Sequence, residues 1–423
     1  MDSQYCEPSW TYSPSPYYDD SHRRVRAAMR KWMDEHIPEK KVVEWDHPLE
    51  YKVPASLPRA AGEAGILPTY VHGMNNGEIL DPEKEMIGGV KVKDWTQFHT
   101  FVTLDELSRC GSAGVVWNLT GGLSIGLPPV AAYGTEALKK KTIHPCIMGE
   151  KRICLAITEP GAGSDVQNIQ TTAKLSEDGT YYTVNGIKKW ITNGVFADFF
   201  TTAVRTENGI SLLCIERTEG VTTKPMEMMG GWGSGTTFVE FDDVKVPAEN
   251  LIGEEGFGLM LIFMNFNLER WGTIVSAIRF ARVCCAEATA FAKRRKVFGE
   301  YLIKNSAILQ KIGNCVKRVE ACQAWLDELT YHMIKTPEND QRWIGGALAL
   351  LKAESTQTLE MCAREAAQVM GGISFTHGGA GSKVERIYRE VRGFAIPAGS
   401  EEIMINLGVK EGMKRGRKLD SKL

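Results

Sequence analysis

The chain has 423 residues, a formal net charge of -2, and 43% hydrophobic and 24% charged residues. That balance suits a globular protein of two or three domains, and it predicts neither a nucleic-acid partner nor an anionic membrane. The ten cysteines include no CxxC pair and the eight histidines no pair at helical ligand spacing. No metal site and no disulfide framework are therefore expected, and the thiols are read as reduced.

The opening, MDSQYCEPSWTYSPSPYYDDS, is acidic and rich in Pro, Ser and Tyr, with no Arg before Arg23. That excludes a signal peptide and an Arg-rich transit peptide. His22–Ile37 carries apolar residues on one face and arginines on the other, which predicts a helix. A loop holding Asn75-Asn76-Gly77 follows. Gln97–Arg109 and Gly121–Lys141 read as helix broken by Gly and Pro, and no run of about 18 apolar residues is found that would cross a membrane. From Lys151 the pattern changes to short alternating strands: Tyr181–Val184, Phe199–Val204, Ser211–Cys214 and Phe238–Val244. Leu259–Lys296, Ser306–Ile334, Asp340–Met370 and a last segment from Glu401 read as long helices. This predicts α, then β, then α, with boundaries at 1–150, 151–258 and 259–423. The chain ends in Ser421-Lys422-Leu423, a peroxisomal address, so a peroxisomal location and an import receptor as partner are expected.

The most informative stretch is Ile153–Gly194. It opens with an apolar run, breaks into Thr158-Glu-Pro-Gly-Ala-Gly-Ser-Asp165, turns at Asp178-Gly179, and ends in KKWITNG. The glycines are not a dinucleotide fingerprint, because Gln170–Lys174 and Tyr181–Val184 read as strand where that motif needs a helix. TEPGAGSD followed by KKWITNG resembles the middle domain of the acyl-CoA dehydrogenase family. The resemblance covers nearly the whole chain after about residue 20. It is strong again at Gly231–Gly258, and next at Arg294–Gly299 and Gln368–Gly372.

The resemblance implies an α+β fold: an N-terminal helical domain, a middle antiparallel β-domain and a C-terminal four-helix bundle. It implies FAD as cofactor, an acyl-CoA substrate, and a homotetramer or homodimer. Leu155, Ile157, Thr158, Gly163, Ser164, Trp190 and Thr192 would contact the FAD, with Trp190 covering one face of the isoalloxazine. Arg295 and Phe298, and Gln368 with Gly371 and Gly372, match blocks that reach FAD across a subunit interface. Ser400 and Glu402 complete the cofactor set, and Ser164, Ala398 and Gly399 the substrate set. Val297 and Ser306 depart from the usual Thr and Gln.

Desaturating an acyl thioester needs a carboxylate to take the α-proton, donors to the thioester oxygen, and a hydride acceptor. In most of the family the carboxylate precedes the last helix, where this chain has Ala398. Isovaleryl- and long-chain-type members carry it on a bundle helix just before an arginine, and Glu269-Arg270 matches that place. Glu269 is the expected base, with Arg270 beside it in the catalytic set, and Glu401 and Glu402 are rivals read as first-turn carboxylates of the last helix. The Ala398 N–H would keep its part in holding the thioester oxygen. The electron acceptor is either an electron-transfer flavoprotein or O₂. A non-catalytic DNA-binding reading would use Lys410, Lys414, Arg415, Arg417 and Lys418, but that tail is short and has no interleaved aromatics. Phe263, Phe266 and Trp271 could narrow an acyl slot or pack the core.

Overall fold

In a computed structural model, which describes residues 4–48, 50, 52–71, 79–336 and 342–420, the first stretch is helical. It comprises α1 (Asp20–His36), α2 (Glu39–Trp45), α3 (Ser56–Glu63), a ribbon of β1 (Glu85–Met86) and β2 (Val90–Lys91), α4 (Gln97–Ser108), α5 (Ala113–Gly121), α6 (Leu127–Tyr133) and α7 (Glu136–Ile147). The strands β3 (Ile153–Ala156), β4 (Thr172–Leu175), β5 (Tyr181–Ile191), β6 (Phe199–Thr206), β7 (Gly209–Glu216), β8 (Val221–Pro225), β9 (Thr237–Pro247) and β10 (Leu251–Ile252) come next. The rest is α8 (Gly258–Arg294), a small hairpin of β11 (Lys296–Val297) and β12 (Glu300–Tyr301), α9 (Ser306–Lys335), α10 (Arg342–Met370), α11 (Ser382–Ala395) and α12 (Glu401–Asp420). The Asn75-Asn76-Gly77 loop, His72 and Ser421-Lys422-Leu423 lie outside the described residues. Packing groups the chain into two units, 1–43 with 96–113 and 270–423, and 44–95 with 114–269.

The second unit is built on one sheet, ordered β10-β7-β6-β4-β5-β9-β8, with β3 beside β6. The expectation of a wholly antiparallel sheet needs correcting: β3 and β4 run parallel to β6. A parallel pair needs a long crossover, and the signature loop with the β4–β5 hairpin supplies one. β6 and β7 are buried along almost their whole length, so they show little of the alternation that marks a one-sided strand. Phe200, Leu213, Ile215, Val239 and Phe241 meet in the core beneath the sheet.

A second correction concerns Ala113–Tyr133, which is long and apolar enough to cross a membrane, with 78% of its apolar window buried inside the protein. Its glycines explain the burial. A Cβ on Gly122 would meet the Ile153 carbonyl oxygen at 1.8 Å, and one on Gly126 the Cys154 backbone at 2.8 Å, so the helix lies directly on β3. Gly122–Gly126 widens into a π-helical turn just before Pro128 and Pro129. Proline cannot donate to the carbonyl four residues back. The Ile125 oxygen is instead taken by Asn265 Nδ2 at 2.9 Å.

In the other unit α9, α11 and α12 all pack on α10. α8 joins them through Trp271 Nε1, which donates to Thr330 Oγ1 at 2.9 Å, and Phe280, whose ring lies 5.1 Å from that of Phe394. α11 is absent from the sequence reading because its inner face holds charges. Arg386 is fully buried and donates to the Gly111 and Cys110 carbonyls, and Glu390 accepts the Ala113 N–H at 2.7 Å.

The histidines His22 and His99 prove to be helix caps. Each sits at the third position of its helix and takes back the N-cap N–H, His22 from Asp19 and His99 from Thr96. The two rings stack at 3.9 Å. Burial pushes the His99 imidazolium down to about 3 and lowers His22 as well, so both stay neutral near pH 7.

The residues before α1 are part of this unit. Trp10 stacks on Tyr18 at 4.4 Å, and the Tyr18 hydroxyl donates to Asp327 at 2.7 Å. Glu7 meets Arg26, Arg30 and Arg279, and Glu106 meets Arg26, Arg30 and Arg109. Arg279, buried, also grips buried Asp105 with both Nε and Nη2. Burial alone would raise the Glu7 carboxyl, but Arg279, Arg30 and Arg26 hold it far below the usual carboxylate range.

Candidate active site

In the sheet unit the two signature blocks are joined by backbone and by charge. The Lys189 N–H donates to the Thr158 oxygen at 2.8 Å. Glu159, buried, accepts Gln170 N, Thr171 N, Thr171 Oγ1 and the fully buried Lys188 Nζ, the last at 2.7 Å. Burial pushes Lys188 down to about 8, with Glu159 opposing that shift. Asn193 stands at φ 64; its Nδ2 donates to the Trp117 and Ser234 oxygens, and its Oδ1 accepts the Gly122 N–H. Sequence reasoning missed these structural parts of the signature, although Glu159, Lys188 and Asn193 all lie within its quoted blocks.

The residues expected to meet the cofactor fall beside this frame. Leu155 lies on β3, and buried Ile157 and half-buried Thr158 follow it. Between Lys188 and Ile191, β5 carries one more residue than β9, a bulge that turns the chain at Trp190. Trp190 takes φ 59 there and is 44% exposed, with the Lys189 ammonium 4.5 Å from its ring centroid. Positive φ is costly for an aromatic residue, and its effect here is to present a flat apolar face at a strand end, with half-buried Thr192 two residues on. Gly163 and Ser164 are exposed, and among the described residues no acceptor takes their N–H groups. An exposed indole beside hydroxyls and open loop N–H groups fits a large flat ligand with polar substituents.

In the helical unit the segment before α12 is held from both sides. Ala398 has φ 56 and Gly399 φ 99. Arg270 Nε donates to the Ala398 oxygen at 3.4 Å. Lys352, fully buried on α10, donates to the Ala395 oxygen at 2.7 Å and the Gly399 oxygen at 2.6 Å. A Cβ on Gly399 would lie 2.2 Å from Met404 Cε. The chain is thus bound into a left-handed turn with no acidic side chain at Ala398. Both rival acids have other work. Glu401 accepts from Thr356 and Gln357, and Glu402 is lowered by its own backbone N–H and by the Ser400 hydroxyl. A carboxylate held low is a poor proton acceptor near neutral pH.

Glu269 is half-buried on α8 and directly precedes Arg270. Of the three aromatics nearby, Trp271 is 3% exposed and packs in the core, while Phe263 and Phe266 pair edge to face at 5.9 Å with Phe263 45% exposed. Arg295 is exposed just past α8, and Phe298 tops the β11–β12 hairpin at φ 51, fully exposed. Gln368 is exposed on the last turn of α10, and Gly371, at φ 64, and Gly372 follow it, also exposed.

Residues 19–150, 154–244 and 256–413 match the family models for the N-terminal, middle and C-terminal domains of acyl-CoA dehydrogenases. The chain belongs to the acyl-CoA dehydrogenase family. Among its relatives, the acyl-CoA dehydrogenase apdG of Emericella nidulans is 38% identical over 423 residues, covering 97% of this chain and 95% of the relative. The crystal structure of an acyl-CoA dehydrogenase from Geobacillus kaustophilus is similar with a TM-score of 0.81 and 29% identity, over 94% of this chain and 99% of that one. An acyl-CoA dehydrogenase from Bacillus anthracis, solved in complex with FAD, gives a TM-score of 0.82 at 25% identity, over 99% of this chain and 72% of that one. FAD is the cofactor of this acyl-CoA dehydrogenase family, and the Trp190 region is the part of the enzyme whose residues fit it.

The welded pair gives a first expectation. Lys188→Met leaves a buried Glu159 carboxylate with N–H and O–H donors but no cation, so the enzyme should lose about 1–3 kcal/mol of stability. Thermal unfolding of the purified variant, read together with its FAD content, checks this. An unchanged melting temperature with full FAD would show that the pair is dispensable.

Proposed function

We propose that the enzyme desaturates an acyl-CoA between Cα and Cβ to a trans-2-enoyl-CoA, with Glu269 as the base. The observation that carries this reading is the turn at Ala398. Arg270 holds its carbonyl oxygen and Lys352 that of Gly399, which fixes the turn, while the Ala398 side chain cannot take a proton. Glu269 precedes Arg270 on the unbroken α8 helix, which supports a base displaced along the chain over one that is lost. Glu269 takes the α-proton, and the Ala398 N–H donates to the thioester oxygen as negative charge gathers there. FAD, when bound, supplies the acceptor for the β-hydrogen as hydride. Leu155, Ile157, Thr158, Gly163, Ser164, Trp190 and Thr192 would hold it, with Ser400 beside the substrate turn. Flavin bleaching under argon on addition of saturated acyl-CoAs of graded length and branching tests this reading and gives the substrate class.

The proposal extends to assembly, acceptor and address. Phe298 and Phe375 are 107% and 93% exposed, and large bare aromatics of this kind favour burial against further copies of the chain. Arg295, Phe298, Gln368, Gly371 and Gly372 would then meet the FAD of a neighbouring subunit in a homodimer or homotetramer.

For the acceptor, an electron-transfer flavoprotein is the first reading and O₂ the second. Rapid dye reduction without peroxide supports the first, and stoichiometric H₂O₂ from the purified enzyme supports the second. Ser421-Lys422-Leu423 would direct the enzyme to peroxisomes through the import receptor. A fluorescent fusion that keeps this C-terminus should concentrate in peroxisomes and disperse when the three residues are removed. An unchanged distribution would remove the address from the account.

A further inference from the structure

The helical unit holds a cluster that the acyl-CoA chemistry does not use. Cys285 on α8, Cys315 on α9 and Cys362 on α10 come from three different helices, and their Sγ atoms all lie within 4.8 Å of one another. All three are buried, at 4%, 4% and 1% exposure. All ten cysteines are free thiols. Cys322 is a contrast: it lies in the same bundle and on the same helix as Cys315, but its Sγ sits against Thr358 Oγ1 at 3.7 Å.

We propose that Cys285, Cys315 and Cys362 form a three-sulfur site for a soft monovalent ion, Cu(I). The donor set decides the ion. A structural zinc site takes four ligands and an iron–sulfur cluster four cysteines. No fourth His, Cys, Asp or Glu joins the three thiols among the described residues. Thiolate sulfur suits Cu(I), zinc and iron–sulfur clusters alike, and of these Cu(I) is the one left for three sulfurs. Donors on packed helices are also held more rigidly than donors on loops.

The surroundings fit the charge. Filling the site follows Cu⁺ + 3 RSH → [Cu(SR)₃]²⁻ + 3 H⁺, with the protons passing to solvent and no change of oxidation state. Arg282 lies one turn before Cys285 on α8 and is fully buried. Its Nη1 meets Glu320 and the Tyr5 oxygen, and among the described residues its Nε and Nη2 have no hydrogen-bond partner. Lys311 lies one turn before Cys315 on α9, bonded to Glu365. Each cation thus stands one helical turn from a proposed ligand and is itself paired with a carboxylate.

The test uses the full chain with its FAD, reduced and free of oxygen, titrated with Cu(I) against bathocuproine disulfonate. The wild type should withhold one equivalent. Cys315→Ser and Cys362→Ser should each lose it, and Cys322→Ser should keep it. X-ray absorption of the copper-loaded wild type should show a shell of three sulfurs. If the wild type withholds no copper, if Cys315→Ser withholds as much as the wild type, or if the shell has fewer sulfurs or contains nitrogen or oxygen, the proposal is overturned. Should the serine variants fail to fold, the wild-type absorption spectrum decides alone.

Discussion

Glu269→Gln should lower the rate of flavin reduction by acyl-CoA by about 10²–10⁴-fold, the range expected when a positioned general base is removed. Gln keeps the shape and half-buried setting of Glu269 but cannot accept the α-proton. FAD content and melting temperature should stay close to wild type, because the residues that fit the cofactor lie in the signature blocks. Glu401→Gln and Glu402→Gln serve as comparators. Glu401 is engaged with Thr356 and Gln357, and Glu402 is held low at the start of α12, so neither substitution should slow reduction comparably. Steady-state dye reduction separates the outcomes. A Glu402→Gln enzyme that is inactive while Glu269→Gln works would move the base to the last helix.

Asp105→Ala should cost about 3–5 kcal/mol of stability, the usual effect of stranding one member of a buried ion pair. Asp105 and Arg279 are 1% and 2% exposed, and Asp105 takes two of the guanidinium nitrogens. Glu7 would remain on Arg279, but it also serves Arg26 and Arg30. The pair itself need not be strongly stabilising, since taking two charges out of water offsets much of their attraction. The double variant Asp105→Ala, Arg279→Met should therefore recover much of the loss. Urea unfolding of the four proteins of this cycle measures the coupling directly. A small loss for Asp105→Ala alone would show that Glu7 suffices to neutralise Arg279.

The sequence was most legible where periodicity was clean. α1 and the long helices α9 and α10 follow from their apolar faces, and the β-rich middle from alternation and turn residues. It was least legible where burial and polarity part company. α11 packs a charged Arg386 and Glu390 inward, and β6 and β7 are buried on both faces. The candidate site shows the same division. Trp190 and Thr192 could be named from KKWITNG, but the same block spends Lys188 and Asn193 on holding the fold. Lys352 gave no signal at all, because a lone lysine in a helix reads as solvated until the structure places it under the turn at Ala398. Nor could spacing reveal the three-thiol cluster, whose members come from three separate helices.

The most direct measurement is an anaerobic titration of wild type and Glu269→Gln, both carrying FAD, with a saturated acyl-CoA to which the wild type responds. The wild-type flavin band should bleach while the variant stays yellow, with acyl-CoA bound but not oxidised. Bleaching of Glu269→Gln at the wild-type rate would contradict Glu269 as the base.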